Sequence, residues 1–235
     1  MYPLQKAPDM RPNAWSHSAL SDFENCPKQY QETKILKRWP FVNTPETIWG
    51  RRVHKDFENF LLYGTPLPAD VQMHEEFLAS FKAQLGELAG EERIALDVHL
   101  QHCEYFSKTQ QVWYRGQVDA RKRDRAAGVS HILDHKTGKV KNDFTQLKGF
   151  AMHEFLTQPD IHTCKVEFYW TQIRGANGET YYREQLPEII AFFAAKLHRF
   201  ADAFLTNTFP PKQSGLCNGW CPVTNCEFWA PKRKR

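Results

Sequence analysis

Asp134 and Lys136 stand two apart in the run Ile132-Leu-Asp134-His-Lys136-Thr-Gly138, and Gly116-Gln-Val-Asp119 lies a short way upstream. If both runs are strands, Asp134 and Lys136 share one face while Leu133 and His135 take the other. Hairpin pairing of the two strands brings Asp119 beside Asp134. Two carboxylates that close repel each other unless a cation sits between them. Magnesium or manganese, held by carboxylate oxygens and water, suits such a place. The ion would polarise a phosphate oxygen and lower the pKa of a bound water. A lysine at the same spot would position or deprotonate that water and offset growing negative charge. An ordinary surface hairpin with an Asp–Lys pair has the same local pattern, so the weight rests on what surrounds it.

A second group with chemical potential is Cys217-Asn-Gly-Trp-Cys221-Pro-Val-Thr-Asn-Cys226, three thiols within ten residues, with Cys26 far upstream. Closing the chain between positions 26 and 217 costs roughly 4–5 kcal/mol plus a constant. A structural metal site supplies on the order of 10 kcal/mol or more, so a metal staple between these segments is energetically reasonable. Cys103 and Cys164 fall in an expected helix and an expected strand and read as ordinary buried thiols.

The elements that must position these groups follow from periodicity and punctuation. Pro3, Pro8 and Pro12 mark residues 1–15 as an extended arm. Ser18 is the expected N-cap of a short helix carrying Leu20 and Phe23. Val53, Phe57, Phe60 and Leu61 give residues 46–62 a helical apolar face, and helices are also expected over 70–88 and 91–107. Residues 112–115, 117–123 and 129–136 read as strands, the last two as a hairpin. Residues 144–156 read as a helix, and 165–173 and 180–185 as a hairpin turning at Gly175-Ala-Asn-Gly178. Residues 186–205 read as a final amphipathic helix. The order implies one α/β domain over 1–235: a helical lobe at 16–110, a catalytic core at 111–205, and a cysteine cluster with a basic tail at 206–235.

Composition sets outer bounds. With 41% hydrophobic and 25% charged residues the chain should fold as a globule. Its longest apolar run, Ile189–Ala195, is far too short for a membrane span. No apolar leader is visible near Met1, so a reducing cytoplasm is expected, where six cysteines point to metal or catalysis before disulfides. Net charge is only +4, but Arg115, Arg121, Lys122, Arg123 and Arg125 crowd one segment and the chain ends Lys232-Arg-Lys-Arg235. Such clusters suit a polyanion, or simply a solvated face.

Taken in order, these motifs resemble the RecB/AddB-like branch of the PD-(D/E)xK nuclease superfamily, including CRISPR-associated iron–sulfur exonucleases and related phage exonucleases. Ser16-His-Ser18-Ala-Leu20-Ser-Asp-Phe23-Glu-Asn-Cys26-Pro27 matches the opening motif, with Tyr30 following. Gly50-Arg-Arg-Val-His54 matches the Gly-x-x-x-His helix, and Gly116–Asp119 the Gly-x-x-Asp motif. Asp134-His-Lys136-Thr-Gly138 matches Asp-Tyr-Lys-Thr-Gly with His135 in place of tyrosine, and Gln146-Leu-Lys-Gly-Phe150 matches Gln-x-x-x-Tyr with phenylalanine in place of tyrosine.

The resemblance implies a restriction-endonuclease-like core, a central mixed sheet flanked by helices, with a helical N-terminal lobe and a C-terminal cysteine metal cluster. It implies that His54, Asp119, Asp134 and the His135 carbonyl hold Mg²⁺ or Mn²⁺, that Lys136 serves the attacking water, and that Gln146 orients Lys136 or the phosphate. It implies a 4Fe-4S cluster on Cys26, Cys217, Cys221 and Cys226, with zinc the alternative. Here the late cysteines have three then four intervening residues, where the family commonly has two then five. Glu58, one turn after His54 on the same helix face, either orients it or is simply a solvated residue. Arg115, Arg121 and Arg123 are candidate backbone contacts, and the Phe150 ring either packs against the helix or stacks on a base. The expected activity is a metal-dependent DNA exonuclease acting on single strands or duplex ends in recombination, repair or end processing, in a bacterial or phage-infected cell. A recombination protein is a possible partner, by analogy alone. An endonuclease or a non-catalytic nucleic-acid-binding module on the same fold are the alternatives.

Overall fold

The computed structural model describes residues 14–231. The expected arm before residue 14 and the basic tail Lys232–Arg235 lie outside the described residues.

The chain forms two compact units, one from residues 44–192 and one from the segments on either side of it. The larger unit is built on a five-stranded mixed sheet in the order β1-β2-β3-β4-β5. Its strands are β1 (Glu87–Asp97), β2 (Val112–Asp124), β3 (Val129–Lys136), β4 (Thr163–Trp170) and β5 (Gly175–Tyr182). Every neighbouring pair is antiparallel except β3 and β4. Antiparallel strands can join by a tight turn, but a parallel pair needs a crossover. Helix α5 (Thr145–Thr157) supplies it.

Helix α3 (Pro45–Tyr63) starts at a reciprocal cap between Thr44 and Thr47, with Pro45 in its first turn, and ends at left-handed Gly64. Its stripe Val53, Phe57 and Leu61 is buried with Leu78 and Phe81 of α4 (Glu75–Lys82) and with Ala120, Leu133 and Tyr169 of the sheet. Each of these large side chains contributes about 1.5–3 kcal/mol when removed from water. Their burial presses the α3 stripe onto the strands that carry Asp119 and Asp134.

Several elements differ from the sequence reading. Residues 91–107 are not a helix: β1 occupies Glu87–Asp97 and pairs along most of β2. Glu, Ala and Leu favour helix only weakly, and a full ladder of strand pairing overrides that preference. The expected helix over 70–88 shrinks to a 3₁₀ turn at Gln72–His74 and α4. Strand β2 runs unbroken through Gly116. The last hairpin turns at 171–174, not at Gly175–Gly178. Gly178 lies inside β5, where a Cβ would meet the Val166 carbonyl at 1.9 Å, so it marks close backbone approach. Cys103 lies after β1, outside any helix, and is buried as expected.

The smaller unit contains α1 (His17–Asn25), α2 (Pro27–Tyr30), a π-helical turn at Gln31–Ile35, and most of α6 (Leu186–Thr206). Ser16, not Ser18, caps α1, its side chain accepting from the Ala19 amide. Aromatic residues fill this unit. Phe200 packs edge-on against Phe23 at 5.0 Å and Tyr30 at 5.4 Å, and Trp15 lies 4.9 Å from Phe193. No helix is long and apolar enough to cross a membrane among the described residues.

Candidate metal-dependent nuclease centre

The β2–β3 ladder ends at Ala120–Leu133. Beyond it the strands no longer pair, and Asp119 fills the gap. Its Oδ2 accepts from the His135 backbone amide at 2.7 Å and lies 3.3 Å from His54 Nδ1 on α3. Across the gap, Lys136 Nζ stands 2.5 Å from Asp134 Oδ2. Gln146, in the first turn of α5, bridges the pair. Its Nε2 donates to Asp134 Oδ1 at 2.7 Å and its Oε1 accepts from Lys136 Nζ at 2.8 Å. One helix from each flank and two strands thus bring together His54, Asp119, Asp134, His135, Lys136 and Gln146. The Lys136 ammonium also lies 4.9 Å from the centre of the Phe168 ring.

The electrostatics separate the two carboxyls. Burial pushes Asp134 up to about 6, against the pull of Lys136 and with a further push from Asp119. Burial also works against ionised Asp119, but His54 and the His135 amide hold it below the usual carboxylate range. Burial would lower His54, and Asp119 outweighs it, so the imidazole is held above its ordinary value. An ionised Asp119 beside a buried Asp134 that resists ionisation is a donor set suited to a divalent cation. One ligand atom from each of His54, Asp119 and His135 lies within 4.8 Å of the others.

Other sequence-derived candidates sit elsewhere. Arg121 and Arg123 are buried and committed to carboxylates. Arg123 forms a two-point pair with Glu154 at 2.7 and 2.9 Å, and Arg121 reaches Glu92 at 2.5 Å and Glu154 at 3.6 Å. They lock α5 onto the sheet and are not available to a phosphate. Phe150 is 1% exposed, so its ring packs in the core and cannot stack on a base. Glu58 accepts from Lys55 at 2.6 Å, and the carboxylate that engages His54 is Asp119.

Arg115 is partly open, donating from Nε to the Tyr105 carbonyl at 2.7 Å. It shares the Tyr105 and Phe106 rings with Arg93, all four guanidinium-to-ring distances falling between 5.4 and 5.9 Å. Neither guanidinium has a carboxylate partner among the described residues, and Phe106 is 66% exposed. The sequence reading missed Arg93, Tyr105 and Phe106 because it placed them in a helix. It also missed Glu91, a β1 carboxyl that burial and Asp119 push upward.

In the smaller unit Cys26, Cys217, Cys221 and Cys226 line one cavity, together with Lys28, Pro211, Phe228 and Trp229. Backbone amides of Gln29 and Lys212 point at Cys26 Sγ (3.5 and 3.4 Å), and that of Ser214 at Cys217 Sγ (3.4 Å). Burial pushes the Cys221 thiol up, and its three neighbouring cysteines add to the effect.

Residues 14–226 match the PD-(D/E)XK nuclease superfamily, and the chain belongs to it. Members of this superfamily use divalent metals. Among solved structures, the chain is similar to a "putative exonuclease" from Eubacterium rectale, with 15% identity and a TM-score of 0.52 over 94% of this chain and 90% of that one. It is also similar to a protein designated SSO0001, with 12% identity and a TM-score of 0.44 over 92% of this chain and 86% of that one. At such identities the likeness concerns the fold. No curated protein matches the sequence significantly.

Proposed function

We propose that the chain is a divalent-metal-dependent DNA exonuclease of the RecB/AddB-like branch. Asp119, Asp134, His54 and the His135 carbonyl would hold magnesium or manganese. That ion supplies a polarised phosphate oxygen and a water of lowered pKa. Lys136, tethered between Asp134 and Gln146 yet 29% exposed at its side chain, would orient the water and offset charge on the phosphorane oxygens. Gln146 fixes the Lys136 ammonium and one Asp134 oxygen, so both arrive pre-oriented. Hydrolysis breaks the P–O3′ bond and leaves the phosphate on the 5′ side of the released nucleotide. The observation that carries this reading is the Asp134–Lys136–Gln146 triangle beside the Asp119–His54 pair.

Arg93 and Arg115, held by Tyr105 and Phe106, are the better candidates for contact with a single strand. They combine unneutralised charge with an exposed ring. Arg115 lies four residues along β2 from Asp119, about 13 Å at the strand rise.

The four cysteines would hold a 4Fe-4S cluster. Thiols bound to one zinc ion stand about 3.8 Å apart, from a Zn–S length of about 2.3 Å. Among the described residues no three cysteine sulfurs come within 4.8 Å of one another, so the reading rests on the shared cavity that the four thiols line. The amides aimed at Cys26 and Cys217 Sγ are the hydrogen bonds that tune such clusters. Protein purified without oxygen should be brown, absorbing near roughly 400 nm; colourless protein with stoichiometric zinc would assign the site to zinc.

The free thiols fit a reducing cell interior, and DNA end processing in recombination or repair, with or without a protein partner, is the setting this reading suggests. Digestion of end-labelled linear and circular single strands in manganese tests the activity. Linear DNA should be consumed and circles left intact, whereas cut circles would establish an endonuclease.

A further inference from the structure

The strand rule places His135 on the face away from Asp134, and the structure puts its ring under α3. The ring stands edge-on to Phe57 at 5.0 Å and to His54 at 5.8 Å, and it is 1% exposed. Neither ring nitrogen has a hydrogen-bond partner among the described residues. A buried imidazole left this way destabilises the fold, because its desolvated nitrogens have nothing to replace the water they lost. A hydrophobic residue would fill the same space without that cost.

The ring's position accounts for it. Nδ1 of His135 lies 3.8 Å from Asp119 Oδ2, too far for a hydrogen bond. Two ligand atoms each about 2.1 Å from a shared ion stand about 3–4 Å apart. The His135–Asp119 separation falls in that window, as does the 3.3 Å between His54 Nδ1 and the same oxygen.

We propose that the His135 imidazole is itself a metal ligand, forming with His54 and Asp119 a two-histidine, one-carboxylate set that favours manganese-class transition ions over magnesium. The proposal rests on the metal-centre reading above and adds a ligand to it. Imidazole nitrogen suits first-row transition ions, whereas magnesium prefers oxygen ligands and retains its waters. The approach is possible because the β2–β3 ladder stops at Ala120–Leu133, which frees Asp119 to turn toward the His135 amide and ring.

The test uses the full chain, stripped of divalent ions and loaded with one equivalent of Mn²⁺ without DNA. Pulsed electron paramagnetic resonance counts the imidazole nitrogens coupled to the manganese. Two are expected in the wild type, and one each in His135→Phe and His54→Phe. Titration calorimetry should show His135→Phe weakening Mn²⁺ by tenfold or more while leaving Mg²⁺ within about twofold. A single coupled imidazole in the wild type overturns the proposal even if neither variant folds. So does an unchanged Mn²⁺ affinity in His135→Phe. Wild type that binds no Mn²⁺ at all would instead overturn the metal centre itself, and this proposal with it.

Discussion

Replacing Asp134 by asparagine should stabilise the metal-free protein while abolishing cleavage. Asp134 is 3% exposed, and its folded-state pKa is raised from 3.8 to about 6, chiefly by burial. One pKa unit corresponds to about 1.4 kcal/mol. Keeping this carboxylate ionised therefore costs the folded state up to about 3 kcal/mol at pH 8. The sign follows from the raised pKa. Below about pH 4 the group is protonated whether the chain is folded or not and no penalty exists; the penalty grows as pH rises toward 6 and is complete above it. Asp134→Asn removes it, less whatever is lost when the amide faces the Lys136 ammonium. A net gain of about 1–3 kcal/mol corresponds to roughly 2–12 °C in melting temperature for a chain of this size. Thermal unfolding in chelator at pH 8 and at pH 5 measures the gain, which should be smaller at the lower pH. Added manganese should raise the melting temperature of the wild type by more than that of the variant, which keeps His54, Asp119 and His135. A variant that melts at or below the wild type at pH 8 without metal would refute the claim that burial strains this carboxylate.

Three further perturbations probe the surrounding framework. Gly50 faces the loop after β3, where an added Cβ would come 2.9 Å from Thr137 Oγ1. Gly50→Ala should leave the melting temperature nearly unchanged, because helix propensity gains about 1 kcal/mol, yet slow cleavage about tenfold, and Thr137→Ala in the same chain should restore the rate. Glu154→Gln removes the carboxylate between Arg121 and Arg123 and should cost about 3–5 kcal/mol in urea unfolding, with the salt dependence of DNA binding unaltered. Arg93→Ala, by contrast, should leave stability intact and flatten the slope of log affinity against log salt for a single strand by about 0.7.

What could be read from the residues depended on how local each signal was. Asp134 and Lys136 lie on one strand, so period-two alternation placed them together without knowledge of anything else. The α3 helix was equally legible, since Val53, Phe57 and Leu61 mark one face and Thr44, Pro45 and Gly64 punctuate its ends. β1 was not legible: Glu87-Leu-Ala-Gly-Glu-Glu-Arg carries helix-favouring residues and becomes a strand only because β2 offers a ladder. That single error hid Glu91 and Arg93. The arginines of β2 illustrate the same limit from the other side. Arg115, Arg121 and Arg123 look alike in sequence, and only the position of Glu154 on a distant helix decides that two of them are buried partners while one remains open. His135 was assigned to the far side of the strand by alternation, and it is the end of the β2–β3 pairing that lets Asp119 reach it.

Single-turnover cleavage of an end-labelled strand by Lys136→Ala, measured alongside its affinity for the same strand in calcium, tests the catalytic arrangement most directly. The ammonium bound to Asp134 and Gln146 should be worth roughly 10²–10³-fold in rate, with DNA affinity nearly unchanged. Cleavage by this variant at the wild-type rate would contradict the account.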